Sequence, residues 1–130
     1  MGRLNSFDSL TSLDLSGERL HAFSLAAARR SGLEGIDRLP VSLRIVLENL
    51  LRHEDGVAVT ADDIRALAAW PETRSAGRDI GFFPSRVVMP DSSGLPLLAD
   101  LAALRDAMVR LGGDPEAINP LCRADLVVDH

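Results

Sequence analysis

Several features are scarce in this chain of 130 residues, and each scarcity excludes a class of protein. The single cysteine, Cys122, cannot form a disulfide within the chain, nor can it alone hold a cluster that needs several thiolates. No apolar run approaches the roughly 18 residues of a membrane-spanning helix. The amino terminus also lacks the apolar core of a signal peptide, so the sequence predicts a cytoplasmic protein without membrane association.

The chain also has fewer positive than negative side chains. The 14 basic residues, all of them arginine, are outnumbered by 19 acidic residues, which gives a net charge of −5. Proteins that bind nucleic acid neutralise phosphates with a basic face, so the sequence predicts no nucleic-acid partner. His21 and His53 have no carboxylate or thiol at ligand spacing, and therefore no metal site is predicted in this chain.

The chain is long enough for one domain with a buried core. Residues 1–38 have a mixed polar pattern, and we interpret them as an N-terminal extension that contains a short strand over residues 21–25 and a helical turn over residues 25–30. Residues 39–130 are predicted to form an α/β domain that makes a single compact unit with the extension.

Two helices are predicted at the start of this domain. A helix with apolar residues at helical spacing is predicted to begin at Pro40 and to end near Gly56. Thr60 is a candidate N-cap for a second helix, which is expected to stop by Pro71. A polar loop over residues 71–81 should follow.

The rest of the chain has the pattern of a βαβ unit. Residues 85–89 form an apolar strand, residues 92–96 are predicted as a turn, Leu98 to Leu111 mark a helix, and residues 126–128 form a second strand. A crossover of this length joins parallel strands. Ligands of parallel sheets bind at the carboxyl ends of the strands, which directs attention to the residues that follow each strand.

After the second strand the chain reads Asp129-His130. Histidine titrates near neutral pH and a carboxylate can fix its tautomer, so this pair is a candidate general acid or base, or an ion-paired substrate contact. Adjacent residues of a strand point to opposite faces, so the two need not bond each other. The alternative is that the pair is a frayed polar chain end.

After the first strand the chain reads Pro90-Asp91-Ser92-Ser93-Gly94. Hydroxyl and amide N–H groups near a helix N-terminus can bind a carboxylate or another anion, so this loop is a candidate substrate-binding segment. The alternative is a connection between strand and helix that satisfies only its own backbone.

Four stretches together resemble the N-terminal region of the aconitase family, in its long cytosolic-type and bacterial form. Residues 39–52 (Leu-Pro-Val-Ser-Leu-Arg and onward) resemble the opening helix of that family, and residues 83–89 resemble its first strand. Residues 100–120 resemble the next helix and the return. Residues 125–130 resemble the strand that ends in the active-site Asp-His pair of the family.

This resemblance implies a hydro-lyase that acts on a small hydroxy polycarboxylic acid with a 4Fe-4S cluster, one iron of which binds the substrate. It implies that Asp129 and His130 lie near the substrate hydroxyl and support its loss as water. The cluster cysteines, the base serine and the substrate-binding arginines of the family are not in these 130 residues. We therefore predict no cofactor in this chain itself, and a 4Fe-4S cluster in a full-length relative or in a partner chain.

One position departs from the pattern of the family, which usually has Met-Gln-Asp where this chain has Met89-Pro90-Asp91. Proline offers neither a side-chain amide nor an N–H donor, so ordinary citrate binding is put in doubt.

Three hypotheses stay open. In the first, the chain serves an active site that a complementary aconitase-like chain completes. In the second, it is a cluster-free module that binds or transforms a different small acid. In the third, it is a truncated, inactive remnant.

Overall fold

A computed structural model describes residues 3–74, 78–128 and 130, and confirms the predicted α/β class. The chain divides into two compact units, Met1–Phe83 and Pro84–His130. The boundary predicted after residue 38 lies inside the first unit and stays a prediction. Among the described residues, no helix has both the length and the apolar character needed to cross a membrane.

The first unit begins with an antiparallel hairpin, β1 (Leu10–Leu15) and β2 (Glu18–Phe23). Ser16 and Gly17 between the strands both have positive φ, at 51° and 87°, and this backbone matches the twist of a two-residue hairpin. The sequence interpretation missed β1 and placed the second strand too late, because it gave no weight to the Ser-Gly turn.

Four α-helices follow in the described part of this unit, and a 3-10 helix (Ile36–Arg38) lies between the first two. The short helix α1 (Leu25–Arg30) confirms the predicted turn, and Ser24 caps it with an Oγ that accepts the N–H of Ala27 at 3.2 Å. After α2 (Val41–His53) and α3 (Ala61–Ala68), Pro71 lies in the first turn of α4 (Trp70–Thr73). The predicted loop over residues 71–81 is therefore partly helical, because proline is well tolerated where a helix begins.

The core of the first unit lies where α2 and α3 meet the segments between the helices. Its largest fully buried apolar side chains are Leu39, Leu47, Leu50, Leu51, Ile64 and Val59. The N-terminal segment is attached to this core by Glu54, whose Oε2 accepts the N–H of Ser6 at 2.9 Å and whose carbonyl accepts the N–H of Leu4.

The second unit is the predicted βαβ structure. Strands β3 (Arg86–Pro90) and β4 (Arg123–Val127) pair in parallel, with Arg86 opposite Arg123 and Pro90 opposite Val127. The helix α5 (Asp91–Arg110) joins them and ends before Gly112, which has φ of 76°. Among the described residues of this unit, Gly94 alone is buried.

The prediction of a turn over residues 92–96 is wrong, because α5 begins at Asp91 and continues through Pro96. Proline at this position removes only one donor, the N–H that would bond to the carbonyl of Ser92, and the helix tolerates that loss near its start. Gly94 permits the close approach of α5 to the sheet. A Cβ at Gly94 would lie 2.7 Å from Cδ1 and 3.0 Å from Cγ of Leu126.

The α3 N-terminus allows a prediction about pH. Asp63 accepts the N–H of Thr60 at 2.8 Å and its hydroxyl at 2.7 Å, and the N–H of Asp63 bonds back to that hydroxyl at 3.2 Å. These bonds from Thr60, chiefly from its hydroxyl, hold the pKa of the Asp63 carboxyl below its ordinary value, and the Arg78 guanidinium 3.2 Å away adds to the effect. A carboxyl group whose pKa is lower in the folded state stabilises the fold at pH values above its unfolded-state pKa. This stabilisation is lost as the pH falls through the folded-state pKa.

We expect Asp63→Ala to lower the stability of the first unit by about 1–2 kcal/mol at neutral pH. The difference from the parent should narrow as the pH falls below about 4. Trp70, the sole tryptophan, packs against this core, so its fluorescence during urea unfolding reports on this unit. Asp62→Ala is the matched control, since Asp62 is exposed and forms a surface ion pair with Arg65 one turn along the helix. If the difference in unfolding free energy between Asp63→Ala and the parent stays constant with pH, the lowered pKa of Asp63 does not stabilise this unit.

A double-mutant cycle tests the close approach at Gly94. Alanine gains about 1 kcal/mol of helix propensity over glycine, while the overlap with Leu126 costs about 1–3 kcal/mol. Gly94→Ala should therefore be more favourable in a Leu126→Ala background than in the parent, with a coupling energy of about 1–3 kcal/mol measured by amide hydrogen exchange of β4. Leu121→Ala is the control background, because Leu121 is fully exposed. If Gly94→Ala changes the opening free energy of β4 equally in all three backgrounds, Gly94 and Leu126 are not closely packed.

Candidate functional site

The two segments singled out in the sequence lie at one edge of the β3–β4 sheet. Pro90 and Val127 are opposite each other in the register, and the chain continues from them to Asp91 and His130. This meeting follows from the parallel pairing, since both strands reach their carboxyl ends at the same edge. Asp129 lies outside the described residues.

Asp91 and His130 lie close together at this edge. The Nδ1 atom of His130 lies 3.5 Å from Oδ2 of Asp91. The Asp91 side chain is only 20% exposed, whereas the His130 side chain is 76% exposed. Sequence spacing gave no reason to pair these two residues, because 38 positions separate them and Asp129 is the adjacent acid.

The other members of the predicted loop belong to the first turn of α5. Pro90, Ser92 and Ser93 are exposed, whereas Gly94 is buried against Leu126. The N–H of Ser92 bonds to Oδ1 of Asp91 at 3.0 Å, and the Ser93 hydroxyl lies 3.4 Å from the Pro90 carbonyl, to which it donates. The edge therefore presents two hydroxyls, a carboxylate and an imidazole, and substrate binding by this segment stays a prediction.

Sequence interpretation missed a second polar group at the other end of the sheet. Asp125 accepts hydrogen bonds from Nε of Arg123, at 2.9 Å, and from Nε of Arg86. These bonds, led by the one from Arg123, hold the pKa of the Asp125 carboxyl below its ordinary value. Two arginines directly opposite each other would repel, and the shared carboxylate offsets that repulsion. The signal in the sequence was the i, i+2 spacing of Arg123 and Asp125, which puts them on one face of a strand.

An asparagine fixes the backbone of Phe83, the last residue of the first unit. Asn49 donates from Nδ2 to the carbonyl of Phe83 at 2.7 Å, and its Oδ1 accepts the N–H of Phe83 at 3.0 Å. His53 stacks on the Phe83 ring with 4.8 Å between the ring centroids. Burial lowers the pKa of His53, and the nearby Arg3 and Arg52 lower it further. These contacts give His53 a packing role in the first unit.

A cavity of about 440 Å³ lies within the second unit. Its walls are mainly apolar and come from α5 and the sheet, including Met89, Leu97, Leu101 and Leu126, with Arg105 among them. The Arg105 guanidinium is occupied by the carbonyl of Ile118, at 3.1 Å, and by the side chain of Asn119. These two neutral partners orient the Arg105 guanidinium, which keeps its positive charge and further N–H donors.

The donor set of this chain does not fit a 4Fe-4S cluster. Such a cluster takes several thiolates, and the sequence offers one cysteine, Cys122, which is partly buried just before β4. Within the part of the chain that the structure describes, no three His, Cys, Asp or Glu side chains converge as a metal-ligand set. Any cluster must therefore be held by residues outside this chain.

Comparison with known proteins identifies relatives of this chain, although no family model matches it. It is 49% identical to aconitate hydratase A of Pseudomonas aeruginosa over 130 residues, which is 100% of this chain and 14% of that protein. In Streptomyces viridochromogenes it is similar to two proteins. Aconitate hydratase A is 48% identical over 126 residues, and phosphinomethylmalate isomerase is 51% identical over 126 residues.

Each of these two matches covers 97% of the chain, and 13% and 14% of the respective relative. The chain thus spans about one seventh of the length of the relatives it matches. Its nearly equal identity to two differently named enzymes of one organism means that overall identity does not choose between their substrates.

Proposed function

We propose that this chain is the part of an aconitase-type hydro-lyase or isomerase that contributes an Asp-His pair to the active site. The whole chain matches the N-terminal region of aconitate hydratase A of Pseudomonas aeruginosa, which supports this proposal. The substrate class is a small hydroxy polycarboxylic acid. Another polypeptide, a complementary aconitase-like chain, supplies the rest of the site.

The observation that best supports this proposal is the arrangement at the carboxyl edge of the β3–β4 sheet. An exposed imidazole, His130, lies there with the carboxylate of Asp91 and with two exposed serine hydroxyls. Sites that handle a hydroxyl leaving group need a proton donor with hydrogen-bonding groups around it, and this edge offers both. The Arg86–Asp125–Arg123 group lies at the opposite end of the strands, away from this edge.

His130 is the proton donor of the proposed reaction. In its imidazolium form it gives a proton to the substrate hydroxyl, the carbon–oxygen bond breaks, and water leaves. The base that takes the hydrogen from the neighbouring carbon belongs to the other polypeptide, as does any cluster. Asp129 carries over from the family pattern as the second member of the pair, and its contribution is part of the proposal.

The substrate is proposed to differ from an ordinary tricarboxylate at one contact. Pro90 replaces the family glutamine at the end of β3, and it is exposed at the same edge as His130. A site that lacks this amide loses one donor to a substrate carboxylate. The similarity to an enzyme named phosphinomethylmalate isomerase supports a related acid as the natural substrate of this chain.

The role of His130 can be tested in a chimera. The matched N-terminal segment of the Pseudomonas aeruginosa enzyme, 49% identical, would be replaced by this chain. His130→Ala should then lower kcat by about 10²–10⁴-fold with a smaller change in KM, because proton donation to the leaving group matters most in the transition state. His21→Ala is the control, since His21 is an exposed histidine on the hairpin. Turnover of His130→Ala close to that of the parent chimera would exclude His130 as the proton donor.

The role of Pro90 can be tested in the same chimera. Pro90→Gln should raise kcat/KM for citrate or isocitrate by an order of magnitude or more, because a hydrogen bond to a carboxylate is worth about 1.5–3 kcal/mol. Pro90 has an extended backbone, with φ of −68° and ψ of 164°, which glutamine adopts without strain. Pro96→Gln, within α5, is the control for the exchange of residue type. A Pro90→Gln chimera that melts like its parent and shows unchanged kcat/KM would make Pro90 a backbone residue only.

A further inference from the structure

We propose that Asp91 is a positioning residue that holds the imidazole of His130 through Nδ1, so that Nε2 is the nitrogen that transfers the proton. This inference rests on the proposed function for its role in catalysis, whereas the contact itself can be tested in the chain alone. It assigns to Asp91 a role different from the substrate contact expected from the sequence.

The Asp91 carboxylate is fixed by a contact that does not involve the histidine. It stands at the first residue of α5, directly after β3, and its Oδ1 accepts the N–H of Ser92 at 3.0 Å. Its other oxygen, Oδ2, lies 3.5 Å from Nδ1 of His130, which is an ion-pair distance and longer than the roughly 2.7–3.2 Å of an ordinary N–H···O hydrogen bond. Because it is held at the start of α5, this carboxylate is a defined anchor for the ring.

The chemistry of the two groups fixes which nitrogen carries the proton. An ionised carboxylate only accepts hydrogen bonds, and a neutral imidazole has one N–H and one bare nitrogen. A bond from Nδ1–H to Asp91 therefore selects the tautomer in which Nε2 is bare. Partners of this kind set the tautomer and the orientation of functional histidines in general.

Charge also favours this role of Asp91 over direct substrate binding. The proposed substrate is a polycarboxylate, and a substrate carboxylate next to that of Asp91 would be repelled. Beside an imidazole, the same carboxylate stabilises the imidazolium that must form before proton donation. The exposed Ser92 and Ser93 are neutral and do not repel a substrate anion.

Nitrogen NMR of the 130-residue chain tests the contact. The imidazole ¹⁵N shifts distinguish a protonated from a bare nitrogen, and they are read at about pH 8, where an ordinary imidazole is neutral. The chain contains three histidines, so His130→Gln assigns the signal, and the exposed His21 serves as an internal reference. Unconstrained histidine prefers the proton on Nε2. The parent chain should therefore show His130 mainly protonated on Nδ1, and His21 mainly on Nε2.

Three variants complete the test. Asp91→Ala should lower the population of His130 that is protonated on Nδ1. Asp91→Asn keeps an acceptor without charge, so it should give an intermediate population of the Nδ1–H form. Ser92→Ala should leave His130 unchanged. If Asp91→Ala disturbs the amide shifts of β4, the result for Asp91→Asn alone tests the contact with His130. A His130 tautomer that is the same in the parent and in the Asp91 variants would overturn the proposal.

Kinetics of the chimera separate a failure of this inference from a failure of the proposed function. A positioning role predicts that Asp91→Ala lowers kcat with little change in KM, whereas a substrate contact predicts a raised KM. If His130→Ala is fully active while the NMR result holds, the proposed function fails and the Asp91 contact stands. If His130→Ala is inactive while the His130 tautomer is the same in the parent and in the Asp91 variants, the proposed function stands and the inference fails.

Discussion

The parallel pairing of β3 with β4 is the constraint on which the proposed chemistry depends. A helix of 20 residues, Asp91–Arg110, leaves the carboxyl end of β3, and the chain returns to start β4 beside the amino end of β3. That path brings Asp91 and His130 together although they are distant in sequence. An antiparallel return would have placed the end of β4 next to Arg86, at the opposite edge. Strand direction therefore decides whether there is a site at all.

The buried core and the candidate site lie in different units of the chain. The first unit contains the buried core of leucine, isoleucine and valine side chains around α2 and α3. The second unit carries the candidate site, yet many of its apolar side chains are exposed, among them Val88, Leu95 and Val127. A two-stranded sheet with one helix buries little apolar surface, and such units gain stability when further strands or helices cover them. The second unit therefore keeps an exposed apolar surface, and this exposure supports the proposal that other polypeptide completes the site.

How far the sequence predicted this structure depends on the range of each signal. The helices α2 and α5 have apolar residues at helical spacing, and the strands β3 and β4 contain short apolar runs, so the βαβ unit and its shared edge were predictable. The Thr60 cap was also predictable, because its partner Asp63 lies three residues along the chain. The hairpin over residues 10–23 was missed because its strands expose leucines on a polar background. The start of α5 was misjudged because Pro96 was given too much weight as a helix breaker.

The contacts between distant residues lay beyond the reach of local patterns. Nothing in the spacing singles out Asp91 as an acid that lies near Nδ1 of His130. The shared carboxylate of Asp125 likewise depends on the strand register that sets Arg86 opposite Arg123. The comparisons with longer relatives give the family context of the chain, and the geometry of the sheet edge gives its candidate chemistry.

Complementation between two separate polypeptides tests the central claim most directly. This chain would be mixed with the Pseudomonas aeruginosa aconitate hydratase A polypeptide that lacks its own matching N-terminal segment, and hydration of aconitate would be followed as this chain is titrated. The account predicts no turnover by either polypeptide alone and saturable turnover by the mixture. A mixture that stays inactive while the two polypeptides bind each other would contradict the claim that this chain contributes functional groups to an aconitase-type site.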